Sequence, residues 1–378
     1  MSAWAIFGVV LCVGLANMAY GLPLALFYAV CFLKKRRLSN GYEHICILII
    51  IKMMWICAVH LLLSNKSPYS VLQLLAQDVI MILMLFLPTT KQVLESLFRP
   101  AIYLFIIDLM FNLSTVFFGL DPLGRGGGMR EGDLIPRLGG LFGNPVYTVS
   151  VTTAALFIGV FSGKKWLIFL SMIGLLINGT QRAPLTLLLV LFVMILLKFR
   201  FRTSILYPFY YCFGALVFLV TIYSASQAEY VSGNFLRVLA WTNSIEKIPQ
   251  SPITGDHSFL PGQFEDMSID TILDYGIAES PYLQIALDFG ILPAIISFYI
   301  LFFISKRWIK LYYRSPNNSS YFACAAFSSV IFVDRFYGSL FGGMFATFIY
   351  CALCVSFCVP DEKPRLDKNI FPGSLVPA

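Results

Sequence analysis

The chain is short of charge. Asp, Glu, Lys and Arg make up 12% of its 378 residues, and there are only three histidines. A soluble domain carries roughly twice that charge, so a soluble globular protein is excluded. Signatures of soluble enzymes are missing as well. There is no Walker loop, no G-x-G-x-x-G after a strand, no H-E-x-x-H and no paired His/Cys ligand set. No Asp-x-Asp pair stands in a loop where a metal-dependent sugar transferase would need one, so neither metal nor cofactor is expected. The polar loops lack cysteine, because all nine cysteines lie inside hydrophobic runs. Cys351, Cys354 and Cys358 share a helix face without a His or carboxylate beside them, and read as small packing residues. The N-terminus lacks a basic n-region and a small-residue cleavage site, so it reads as a first span rather than a cleaved signal.

What is present is hydrocarbon. Hydrophobic residues reach 58% and mean hydropathy is +0.79. Apolar runs of roughly 18–25 residues recur, each long enough to cross a core of ~30 Å. The expected fold is an all-α, polytopic membrane helix bundle. The net charge of +7 does not point to nucleic acid. Of 27 Lys and Arg, 18 fall in short clusters on alternate sides of the runs: residues 34–37, Lys91 with Arg99, 164–165, 198–202, 306–314, and Lys363, Arg365 and Lys368. That is the positive-inside pattern, which makes those segments cytoplasmic.

Residues 2–33 are too long for one span and are interrupted by Gly21-Leu22-Pro23, so two short helices are preferred there to one long tilted helix. Further spans are expected at 42–63, 70–88, 100–119, 144–162, 166–179, 183–197, 204–223, 281–304, 319–334 and 338–358. This gives about twelve spans with both termini cytoplasmic, or eleven with an external N-terminus. The division is residues 1–223 for the first nine helices, 224–280 for a large loop, 281–358 for the last three helices and 359–378 for a cytoplasmic tail. Lys52, Asp78 and Asp108 lie at similar depth in early spans and are costly there. An ion pair of Lys52 with Asp78 or Asp108, locking helices together, is one reading; a proton relay is the other.

The loop from about Ser224 to Ser280 is the one long polar interval. It holds eight acidic residues against Arg237 and Lys247, with Trp241, His257 and the turn-rich run PQSPITGDHSFLPG. The positive-inside pattern puts it on the external face, where arginine is scarce yet recurs singly or in small numbers in each loop. Arg125, Arg130 and Arg137 lie among glycines, Arg182 lies in the tiny turn NGTQRAP, and Arg335 lies in VDRFYG. A guanidinium stays charged and binds two phosphate oxygens with one planar fork, so these positions fit anion recognition. Pairing with the loop's own carboxylates is the plainer role, above all for Arg125 and Arg130. Arg182 has no local carboxylate.

Four of these segments carry a likeness. RLGGLFGNPVYTV (137–149), NGTQRAPLTLLL (178–189), RVLAWTNSIEKIPQSPITGDHSF (237–259) and ESPYLQIALDFGI (279–291) resemble, in that order, motifs of the bacterial O-antigen polymerase and O-antigen ligase superfamily. The likeness covers roughly residues 137–305, and Gln181 stands where that family usually has Ser. The resemblance implies a GT-C-like bundle of about twelve helices with the large periplasmic loop over the active site. It implies a metal-independent, inverting glycosyl transfer between undecaprenyl-diphosphate-linked glycans, donor and acceptor alike, at the bacterial inner membrane. A chain-length regulator protein is a candidate partner. The arginines that match the motifs are Arg137, Arg182 and Arg237.

Breaking a glycosyl–diphosphate bond leaves charge on the leaving group, which fixed guanidinium groups stabilise. Arg182 and Arg237 are therefore expected to be catalytic, with Arg137, His257 and Arg335 binding substrate and Trp241 and Tyr282 stacking on sugar faces. Glu279 stands where ligases of the superfamily tend to have His, which favours a polymerase over a ligase. A lipid-linked sugar flippase would spread charge through many spans and have no dominant loop. Pro281 suits the first turn of a helix with Ser280 as its N-cap. Glu279 then either anchors that helix through its dipole or accepts the acceptor hydroxyl's proton. The topology is open to a direct check: reporter fusions at Arg202 and Gly233 are expected to report opposite compartments, and one shared compartment would overturn the assignment of 224–280 to the external face.

Overall fold

A computed structural model of the protein describes residues 43–63, 75, 78–79, 81–82, 91–119, 138, 140, 145–178, 182–226, 233–255 and 280–336. Among these the chain is helical, with no strand. The elements in order are α1 (Glu43–Leu63), α2 (Lys91–Phe118), α3 (Pro145–Ser162), α4 (Lys165–Ile177), α5 (Arg182–Lys198), α6 (Thr203–Ser226), α7 (Gly233–Lys247), α8 (Pro281–Phe289), α9 (Ile291–Arg314) and α10 (Ser319–Asp334). The expected spans at 2–33 and 338–358 lie outside the described residues, as does most of 70–88.

Among the described residues, four segments have the length and apolarity to cross a membrane: Glu43–Leu63, Ala101–Phe118, Thr203–Tyr223 and Ile291–Arg314. Four shorter apolar helices, α3, α4, α5 and α10, accompany them. Their outward surfaces are apolar. Leu61, Leu62, Phe117 and Phe118 are more than 70% exposed, and Met110, Phe169 and Leu219 more than 60%. Side chains of that size facing outward along whole helices mark a surface made for lipid rather than water. α2 begins nine residues before the expected 100–119 span, because KQVLESLFR is rich in strong helix formers and extends the helix beyond its apolar part.

α10 is the centre of the described bundle. It packs against α9, α3, α5 and α6, and from Ala323 to Asp334 every residue is buried. A helix that is apolar all round belongs inside a bundle. Its Ser and Ala residues let neighbouring backbones approach closely, as small residues do between membrane helices. Polar contacts then tie it across: Ser329 Oγ lies 3.0 Å from Ser305 Oγ of α9, and Ser320 Oγ donates to the Phe161 carbonyl of α3 at 3.3 Å. The start of α10 is fixed by Asn318, whose side chain accepts from the Ser320 and Tyr321 backbone N–H groups.

The expected continuous span 281–304 is corrected by the structure. Its helix starts at Pro281 but stops at Phe289, and a second helix starts at Ile291. The cause is Gly290, whose φ of 89° no ordinary L side chain adopts readily. The carbonyl of Ile253 occupies the place a side chain at Gly290 would take.

Of the three early charges, two meet. Lys52 Nζ lies 2.9 Å from Asp78 Oδ1, and both side chains are buried. Asp108 stands apart, completely buried and accepting from Asn112 Nδ2 at 3.2 Å. The ion pair thus joins α1 to Asp78 without α2. Removing one member of a buried pair strands the other charge, at a cost of about 3–5 kcal/mol, whereas apolar replacement of both is often neutral. Lys52→Met alone is therefore expected to lower the melting temperature of the detergent-purified protein, and Lys52→Met with Asp78→Leu to recover most of the loss. A double variant no more stable than the single one would show that the pair is not coupled.

Candidate functional site

Of the residues that the sequence singles out, Tyr282 and Arg335 lie at a junction around α8, Arg237 and Trp241 lie on α7, and Arg182 begins α5. The junction forms where the polar loop returns to the bundle. After α7, a short 3-10 turn (Ile248–Gln250) leads into Ser251–Gly255. Gly255 closes this turn with φ 77°, its N–H donating to the Ser251 carbonyl at 2.8 Å. The turn lies directly on the α8–α9 break. The Ile291 N–H donates to the Pro252 carbonyl at 2.8 Å, and Trp55 of α1 donates its indole N–H to the Phe289 carbonyl at 3.0 Å. Backbone groups freed by the break thereby regain partners, which a buried break requires.

α8 then positions the motif residues at its start. Ser280 occupies the N-cap position as expected, in extended conformation, but its hydroxyl makes no cap hydrogen bond. It donates instead to the carbonyl of Arg335 at 3.1 Å, at the end of α10. Two segments 55 residues apart, ESPYLQ and VDRFYG, are joined by this contact. Tyr282 follows, its ring edge-on to Phe336 (5.3 Å, 62°) and Phe298 (5.8 Å, 64°). Its hydroxyl is buried and has no hydrogen-bond partner among the described residues. α8 lies outside the four span-length helices. There burial pushes the Tyr282 phenol well above its ordinary pKa, while Arg335 acts in the opposite direction. The group stays a neutral O–H donor. Asp334 is buried next to Arg335, which is half-buried.

Trp241 is 2% exposed and stacked on Phe218 of α6, with ring centroids 5.0 Å apart and planes 22° apart. One face of the indole is thus closed to any sugar, and the ring holds α7 on α6. Its N–H has no partner among the described residues. Arg237 lies one turn earlier in α7, and α7 packs on α6 and α8. Arg182 is the first residue of α5, with no acidic residue in that first turn. Just before it, Asn178 is buried and donates to the Leu138 carbonyl at 3.5 Å. Arg137, His257 and Glu279 lie outside the described residues.

The structure adds the surroundings of Asp108, a residue already singled out, and a further polar group that sequence reasoning missed. Gly140 has φ 52°, and a side chain there would collide with the Asp108 carboxylate and approach Asn112. Gly140 therefore approaches α2 at its buried carboxylate. The second addition is Asp288, 2% exposed and accepting from Gln284 at 3.0 Å. The signal for both was a carboxylate with an amide four residues away in an apolar helix, Asp108 with Asn112 and Gln284 with Asp288.

No known family model matches this sequence, and no curated protein matches it.

The junction makes a stability prediction. A Cβ at Gly255 would come within 2.5 Å of the Leu287 carbonyl oxygen and the Asp288 carbonyl carbon, on a backbone that already disfavours one. Gly255→Ala is expected to destabilise by at least ~1–3 kcal/mol. Gly214→Ala, within α6 and with open space around its Cβ, is expected to be neutral or to gain up to about 1 kcal/mol. Thermal melting of both variants in detergent checks this, and equal melting temperatures would remove the turn from the architecture.

Proposed function

We propose that the chain is a metal-independent, inverting membrane glycosyltransferase. It joins undecaprenyl-diphosphate-linked oligosaccharide repeat units into a surface polysaccharide, O-antigen foremost and otherwise capsule or exopolysaccharide, at the periplasmic face of the inner membrane. The observation that carries this reading is the set of four motif segments in family order, from RLGGLFGNP to ESPYLQIALDFGI. The helical, lipid-facing bundle agrees with it, and so does the contact of the loop turn with the α8–α9 break. The full bundle is taken as GT-C-like, with eleven or twelve spans and 224–280 as the loop over the site.

In this mechanism a hydroxyl of one lipid-linked glycan attacks the anomeric carbon of another. The bond from that carbon to the diphosphate oxygen breaks, and configuration inverts. Arg182 and Arg237 stabilise the charge that grows on the departing diphosphate, which is already a good leaving group. Arg137 and Arg335 hold phosphate or sugar, and His257 and Tyr282 contribute hydrogen bonds. Glu279, next to Ser280 at the start of α8, takes the proton from the attacking hydroxyl.

The test has a genetic and a residue-level arm. Loss of a polymerase leaves lipopolysaccharide capped by a single repeat. Loss of a ligase leaves bare core with accumulated lipid-linked polymer, and loss of a flippase stops lipid-linked units on the cytoplasmic face; either of the latter profiles would overturn the reading. Within a polymerase, Arg182→Ala and Arg237→Ala are expected to abolish polymerisation at normal membrane levels. Arg182→Lys is expected to retain little, because an ammonium cannot reproduce the guanidinium fork. Glu279→Gln is expected to slow polymerisation by about 10²–10⁴-fold. Normal chain lengths from a Glu279→Gln protein at wild-type abundance would take Glu279 out of the mechanism.

A further inference from the structure

Two basic stretches, far apart in sequence, come to one end of the bundle. α5 ends at Lys198, and the following turn contains Arg200, with a left-handed φ of 53°, and Arg202. α9 ends at Arg314, with Lys310 one turn earlier. The Tyr313 hydroxyl donates to the Phe201 carbonyl at 2.7 Å, across 112 residues, and pins the end of α9 to this turn. Arg200 interacts electrostatically with the same hydroxyl.

The five cations Lys198, Arg200, Arg202, Lys310 and Arg314 are all exposed. None has an ion-pair partner among the described residues. The stretches that carry them contain no acid of their own, since no Asp or Glu occurs within 163–226 or 289–333. Clustered cations without counter-charges repel one another and call for an external anion. Beside Arg314 an open cavity of about 640 Å³ is lined by Ser315, Asn317 and Asn318 as well, so hydroxyl and amide groups adjoin the guanidinium.

The apolar surroundings identify the kind of anion. Phe199, between Lys198 and Arg200, is 71% exposed, and Ile205 and Phe209 continue an exposed apolar strip along α6. A soluble acidic partner would leave that strip bare, whereas a lipid supplies a phosphate for the cations and acyl chains for the phenyl ring. We infer that this end of the bundle binds the headgroups of anionic phospholipids. Arg200, Arg202, Lys310 and Arg314 engage the phosphodiester, and Phe199 enters the acyl region. Guanidinium forks suit phosphate oxygens, and each cation near an anionic membrane surface contributes about fivefold in binding. The inference is independent of the glycan chemistry proposed for the opposite end.

The test uses the full-length protein in a zwitterionic detergent, titrated with phosphatidylglycerol or with phosphatidylcholine, with retained lipid read by native mass spectrometry. Wild type is expected to retain phosphatidylglycerol at least about tenfold more strongly than phosphatidylcholine. Arg200→Gln with Arg202→Gln is expected to lose most of that preference, and so is Lys310→Gln with Arg314→Gln. Using two separate pairs guards against one of them failing to fold, and lipid-free melting temperatures equal to wild type confirm that both are intact. Phe199→Ser is expected to weaken retention of both lipids while keeping the preference between them. Equal retention of the two lipids by wild type, or an unchanged preference in the folded Gln variants, would overturn the inference.

Discussion

A buried backbone N–H or C=O has no water to turn to, so a buried interruption of a helix must find its partners within the protein. The chain interrupts a helix at Gly290 and meets this demand from two sides. The Ser251–Gly255 turn supplies the Pro252 carbonyl to the Ile291 N–H, and α1 supplies the Trp55 indole N–H to the Phe289 carbonyl. Glycine at 255 and 290 lets the backbones come together without side chains between them. The separation of α8 from α9 and the seating of the Ser251–Gly255 turn on it both follow from this contact.

The second organising feature is the burial of α10. A helix of small and aromatic residues can be surrounded only if its neighbours approach closely, and alternate Ser or Ala with Phe makes that possible. Phe327 lies against Phe157, and Phe332 against Phe298 and Phe302, while Ser305 and Ser329 meet between them. Because α10 is fixed on several sides, its end is a firm platform. Arg335 and Phe336 stand on it, and they receive Ser280 and Tyr282.

Charge is sorted by what surrounds it. Buried charge is partnered inside the protein: Lys52 with Asp78, Asp108 with Asn112 beside Gly140, and Asp288 with Gln284. Exposed cations gather at the end where α5 and α9 finish, without ion-pair partners among the described residues. The first arrangement builds the bundle and the approach to its candidate site. The second leaves charge available to the membrane surface.

Hydropathy alone determined that the protein is helical and apolar, and it located most helix ends closely: 183–197 against Arg182–Lys198, and 319–334 against Ser319–Asp334. Those ends coincide with sharp changes from hydrocarbon to polar side chains, a local property legible residue by residue. Pro281 as the first residue of a helix was legible for the same reason, through its fixed φ and missing N–H. The break at Gly290 was not, because the only charge beside it, Asp288, is a single residue within an otherwise apolar run. A glycine in such a run becomes a break only when another backbone, here Ile253, comes to occupy its open side. Which of Asp78 and Asp108 would meet Lys52, and that Ser280 would reach Arg335 instead of capping its own helix, were likewise decided by tertiary packing. Helix rotation and depth are set by contacts between distant segments, and a one-dimensional pattern of polarity does not contain them.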